Sequence, residues 1–190
     1  MMTNRRLNNC GSDFKVSDDE SAILDRLNII SLSPPESRIL WHLAGNVYGT
    51  IINLGHGESG GSASVMGCSL LWHRLPYHIH SVDAFKEVIY NRCVRQLKHL
   101  GLNNVTIHRE STVDAGMRWL ANNSNFDLTF IDASHEYEDV KNDWLVFSQL
   151  SKTVAFHDIN QVDVDRVIRE CVTDEWKLIH HVDRVKVYSK

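Results

Sequence analysis

From Tyr48 onward the apolar positions alternate between two patterns. Short runs rich in Val, Ile, Leu and Phe occupy 50–54, 78–83, 104–108, 127–132 and 153–158, and each reads as a strand. Between them apolar residues recur at helical spacing. Ile89, Cys93, Leu97 and Leu100 share one face, with Gly101 placed to stop the helix. Tyr137, Val140, Trp144 and Phe147 share a second, and Val164, Val167, Ile168 and Cys171 a third. Strands separated by helices pair in parallel through right-handed crossovers. The end of the chain breaks this rhythm, because the runs at 176–181 and 184–188 are separated only by Val182-Asp183. A connector that short joins antiparallel strands. The pattern therefore predicts an α/β fold: a doubly wound, mostly parallel seven-stranded sheet with an antiparallel edge hairpin.

Upstream, residues 1 to about 16 are polar and predicted to be loose. Ser17-Asp18-Asp19-Glu20 has the form of a capping box, with Ile23, Leu24, Leu27 and Ile30 following at helical spacing. Pro34-Pro35 ends that element and opens a second helix through Trp41. Residues 1–45 read as a helical appendage able to cover a site, and 46–190 as the main domain.

Size and charge narrow the function. A chain of 190 residues suits one domain with its own core. Net charge is −4 and the 20 basic residues are scattered, so no stripe exists to neutralise phosphates and no nucleic-acid partner is expected. Cys10, Cys68, Cys93 and Cys171 are too far apart for a zinc or disulfide framework and read as free thiols of a reducing compartment. The opening Met1-Met2-Thr3-Asn4-Arg5-Arg6 lacks a signal-peptide pattern, and no apolar run is long enough for a bilayer. A cytoplasmic protein with no membrane partner is expected.

Candidate chemistry begins after the first strand. Gly55, Gly57 and Gly60 form a G-x-G-x-x-G loop, with Gly61 and Ser62 opening the next helix. Glycines there allow a tight turn and close backbone approach, and the helix start offers free N–H donors. The second strand ends in Ser81-Val82-Asp83 before Ala84, with Asp83 twenty-three residues beyond Gly60. A carboxylate in that place can accept both ribose hydroxyls, which indicates an adenosine-type ligand. NAD and S-adenosylmethionine both meet this description. Too little chain follows Asp83 for the substrate domain that a dehydrogenase needs, and the terminal hairpin is foreign to a plain dinucleotide fold.

The order of elements resembles the class I S-adenosylmethionine-dependent methyltransferases. The segments Ile51-Ile52-Asn53-Leu54-Gly55, Ser81-Val82-Asp83, the stretch from Phe126 to Tyr137, and Val154-Ala155-Phe156-His157-Asp158-Ile159 carry the resemblance. They are similar to a branch of small bacterial enzymes with an FIDG-H-Y signature, akin to macrocin-type and cephalosporin-biosynthesis-type O-methyltransferases. The resemblance spans roughly residues 36–190 and implies a homodimer acting on a small-molecule acceptor. It also implies that Ser111 lines the adenine; the residue reading alone leaves an ordinary helix N-cap equally open. One departure is Asn53, where the family commonly has Glu or Asp; an amide attracts the cofactor's ammonium group less strongly.

Asp132 closes the fourth strand and His157-Asp158 the fifth, at the same end of the sheet as the glycine loop. Two carboxylates and an imidazole there could hold Mg²⁺, or Mn²⁺ given the histidine. In related O-methyltransferases these strand ends hold a metal, so the resemblance implies Asp132, Asp158 and His157 as ligands. His135 is the expected general base, since its ordinary pKa lies near neutrality. The predicted activity is metal-assisted O-methylation of a small hydroxylated acceptor, with an NAD-binding oxidoreductase and a non-catalytic binding protein as the alternatives.

Overall fold

The computed structural model describes residues 16–27, 29, 31–57 and 60–190, so Cys10, Ile30, Glu58, Ser59 and the polar N-terminal stretch lie outside the described residues. Helices α1 (Asp18–Leu27) and α2 (Pro34–Ala44) come first. Then follow β1 (Ile51–Leu54), α3 (Gly61–Trp72), β2 (Ile79–Val82), α4 (Glu87–His99), β3 (Val105–His108), α5 (Thr112–Ala121), β4 (Phe126–Ile131), α6 (Tyr137–Leu150), β5 (Ser151–Phe156), α7 (Val162–Cys171), β6 (Lys177–Val182) and β7 (Val185–Ser189). All seven expected strands form one sheet in the order β3-β2-β1-β4-β5-β7-β6. β1 to β5 are parallel, and β7 runs antiparallel between β5 and β6.

The central strands are apolar because both faces are covered. One core cluster joins Ile39, Leu40 and Trp41 of α2 to Val65, Met66 and Leu70 of α3. The other packs Trp119 of α5, Trp144 and Phe147 of α6 and Val167 of α7 beneath the opposite face. α2 starts from a capping box in which the Ser33 hydroxyl and Glu36 carboxylate serve each other's backbone N–H, with prolines in the first turn. Gly101, at φ +70°, takes the left-handed position just beyond α4.

The hairpin turn sits one residue later than expected, on Asp183 and Arg184. Val182 is buried, pairs with Val185 and belongs to the core, so the turn falls to Asp183, which adopts φ +51°. Since β7 is antiparallel to β5, this turn lies beside the carboxyl end of β5, as the pairing of Phe156 with Lys186 shows. Among the described residues no helix is long and apolar enough to cross a membrane.

Candidate active site at the carboxyl edge of the sheet

Three of the loop glycines have positive φ: +81° at Gly55, +55° at Gly57 and +67° at Gly60. At Gly55 a Cβ would stand 2.1 Å from the backbone oxygen of Asp132, so the loop after β1 touches the loop after β4 where only glycine fits. Gly60 caps α3 without a side-chain hydrogen bond, so among the described residues no side chain caps the first N–H groups of that helix. Gly61 opens α3 facing Ile29 and Ser31, and Ser62 behind it is buried. An adenosine-type ligand fits this cradle.

Asp83 lies just past β2, buried, with its Oδ2 accepting from the His56 backbone N–H at 3.0 Å. Burial pushes its carboxyl above the usual range, opposed by N–H groups of the glycine loop and Phe85. Asn53 is fully buried: its Nδ2 donates to Gly55 O and Ser81 Oγ, both at 2.8 Å, and its Oδ1 has no partner. The amide thus braces the loop. His56, which the sequence reading missed, packs edge-on to Phe85 with Nδ1 3.2 Å from Ser81 Oγ, and burial lowers its pKa to about 4. Its place inside the G-x-G motif was the signal available. Ser111 accepts from Asp114 N at 3.1 Å as the N-cap of α5, and Ala84 is exposed beside Asp83.

Asp132, His135 and Asp158 converge at the ends of β4 and β5. One ligand atom from each lies within 4.8 Å of the others, a donor set of two carboxylates and an imidazole that fits a divalent cation. His135 Nε2 is 2.9 Å from Asp158 Oδ2, and its side chain is half exposed. Asp158 holds φ +51°. His157 stands outside this group. Its Nδ1 meets Asp132 Oδ1 at 2.8 Å, while Nε2 faces Glu36 Oε1 at 3.3 Å without hydrogen-bond alignment. Burial opposes a charge on this ring, but the carboxylates on both sides raise its pKa to about 10. A protonated imidazole has no lone pair for a metal.

Two further residues complete the site, and neither was anticipated. Glu36 is fully buried and receives Arg184 through two bonds of 2.8 Å each. Arg184 also donates to Asp158 Oδ1 at 2.6 Å. Burial pushes the Glu36 carboxyl up, yet His157, Arg184 and the Ser33 N–H outweigh it and hold the pKa at about 2. Ser33 Oγ donates to Asp183 Oδ2 at 2.6 Å, tying the start of α2 to the hairpin turn a second time. The Ser33-x-x-Glu36 spacing signals the helix cap, but no local pattern pairs Glu36 with a residue 148 positions away.

Comparisons with known proteins agree with this fold. A family model described as a methyltransferase domain matches residues 55–159, from the first loop glycine to the residue after Asp158. No curated protein matches the chain by sequence. Among solved structures, cofactor-bound Rv0187 from MTB superposes with a TM-score of 0.68 at 15% identity, over 90% of this chain and 87% of that one. The O-methyltransferase from Bacillus cereus in complex with SAH gives 0.65 at 15% identity, over 92% of each chain. The O-methyltransferase TomG from Streptomyces achromogenes, in complex with SAM, gives 0.60 at 14% identity, over 84% of this chain and 72% of that one. With a matched segment that contains the glycine loop, Asp83 and the Asp132–His135–Asp158 group, the chain belongs to the methyltransferase-domain family.

Proposed function

We propose that this protein transfers the methyl group of S-adenosylmethionine to a hydroxyl of a small acceptor, with a divalent cation assisting. The observation that carries the proposal is the contact at Gly55, which sets the cofactor-type loop directly against the Asp132 loop. Asp83 would accept the ribose hydroxyls and the uncapped start of α3 would receive the polar end of the ligand. Bound S-adenosylmethionine supplies a sulfonium-activated methyl, so the chain must align the acceptor oxygen and remove its proton. We assign that step to His135. Its Nε2 is held by Asp158, and Nδ1 is the atom that would take the proton. Asp132 and Asp158 would hold the cation through their oxygens, which suit Mg²⁺ or Mn²⁺, leaving the His135 ring for the proton. When bound, the cation supplies Lewis acidity that lowers the pKa of the acceptor hydroxyl.

Isothermal titration with S-adenosylhomocysteine, with and without Mg²⁺ or Mn²⁺ and with NAD in parallel, tests the reading. Saturable S-adenosylhomocysteine binding that Asp83→Ala abolishes and Asp132→Ala retains is the expected result. Once an acceptor is found, Asp132→Ala should eliminate turnover. Binding of NAD alone would overturn the proposal, and binding of neither ligand would favour a non-catalytic protein.

A further inference from the structure

Three histidines crowd the β3 edge of the sheet, on the face that carries α5 and away from α3. His78 precedes β2, His80 lies within it and His108 ends β3. The register pairs His80 with Thr106 and Val82 with His108, so His80 and His108 are diagonal neighbours on one face. Ring centroids are 5.1 Å apart for His78–His80 and again for His80–His108. His80 Nδ1 stands 3.0 Å from His108 Nε2, so one of these nitrogens donates its proton to the other. His78 Nε2 is 2.8 Å from Thr106 Oγ1. On the outer side His108 Nδ1 lies 3.5 Å from Glu110 Oε1, a carboxylate that also receives Arg118. Trp119 packs 5.7 Å from both the His80 and the His108 rings.

Each part of this arrangement suits a metal ion. Nitrogen ligands sit about 2.0–2.1 Å from the ion, so neighbouring ligands are roughly 2.8–3.0 Å apart in a tetragonal copper site and roughly 3.3–3.4 Å apart in a tetrahedral zinc site. The observed 3.0 Å lies at the tetragonal end. A carboxylate hydrogen-bonded to the far nitrogen of a ligating histidine fixes its tautomer and ring angle, and Glu110 stands 3.5 Å from that nitrogen of His108, close enough to take this part on a small side-chain movement. The side chains of His108 and Glu110 are 21% and 29% exposed, so an ion can reach them.

We propose that His80 and His108 form a two-imidazole site for a divalent transition ion of the zinc and copper class, oriented by Glu110 and flanked by His78. As the ion binds, the proton between the rings shifts to the outer nitrogen of the ring that carried it. His80 Nδ1 and His108 Nε2 become the ligand atoms, and each ring keeps one proton, on His80 Nε2 and on His108 Nδ1 toward Glu110, so none is released. Water completes the coordination. All-nitrogen protein donors select against Mg²⁺, which separates this site from the Asp132–His135–Asp158 group. The site does not depend on the methyltransferase proposal.

Cu²⁺ added below one equivalent to the full chain is the test, read by electron paramagnetic resonance and tryptophan fluorescence. The expected spectrum carries hyperfine structure from two imidazole nitrogens, with strong quenching that Trp119→Phe largely removes. His80→Gln and His108→Gln should each abolish this binding. Glu110→Gln should weaken it about tenfold. Zn²⁺ should displace the copper, Mg²⁺ should not, and Asp132→Asn should leave it unchanged. A first equivalent that binds equally to both histidine variants, or a parent spectrum without paired nitrogens, overturns the proposal. Should the histidine variants fail to fold, the parent spectrum and the Trp119→Phe quenching still decide it.

Discussion

Asp143 and Glu36 are both buried carboxylates, yet they respond to pH in opposite senses. Asp143 lies in α6, 2% exposed, with one oxygen unpartnered, and burial raises its pKa to about 7. The folded state therefore holds this proton more tightly than the unfolded chain. Its contribution to stability is greatest in acid, falls as pH rises from about 4 to 7, and is flat above that. Asp143→Asn should recover up to about 4 kcal/mol at pH 8 and almost nothing at pH 4, measured as the variant-minus-parent difference in urea unfolding. Glu36, held at about 2, behaves conversely: its stabilisation is full above the ordinary value of 4.5 and is lost as pH falls from there through about 2. Gly55 shows a steric limit of the same scale. Gly55→Ala must move the Asp132 backbone and strain φ +81°, so it should cost roughly 3 kcal/mol and lose S-adenosylhomocysteine binding, read by thermal unfolding and titration. Asp83, Asp132 and the glycines were legible in the sequence because their places at strand ends are set by local pattern. The inward turn of His157 was not, since the carboxylate that draws it comes from α2.

Elements were legible where one periodicity held throughout. The four buried residues of β1, apolar except for Asn53, and the stripe of α6 were both predictable because burial on known faces leaves one solution. The joint between α2 and the hairpin was hidden. It rests on Ser33–Asp183 and Glu36–Arg184, contacts between elements at opposite ends of the described chain. A carboxylate with no exposure depends on its donors, so Arg184→Met should leave Glu36 buried with too few. The expected cost is about 3–5 kcal/mol, with a Tm lower by roughly 6–20 °C. Glu36→Gln should cost less, because it removes the charge as well as the demand for a cation. A smaller loss for Arg184→Met than for Glu36→Gln in calorimetry would show that the pair contributes little.

At the scale of the molecule, the doubly wound sheet and its closing hairpin followed from the alternation of patterns, and the site's place followed from the fold, since parallel strands deliver their carboxyl ends to one edge. The insertion of β7 between β5 and β6 was not readable, because a hairpin offers two strands to the same edge and a short turn does not choose between them. That choice sets the timing of assembly. Asp158 receives Arg184 only after β7 has docked on β5, and Glu36 is neutralised in the same event, 148 residues after it left the ribosome. Closing so long a loop is slow, so a nascent chain carries its first two helices unlatched while the sheet forms. Asp158 and Glu36 thus receive their cation later than Asp83 and Asp132 receive their partners.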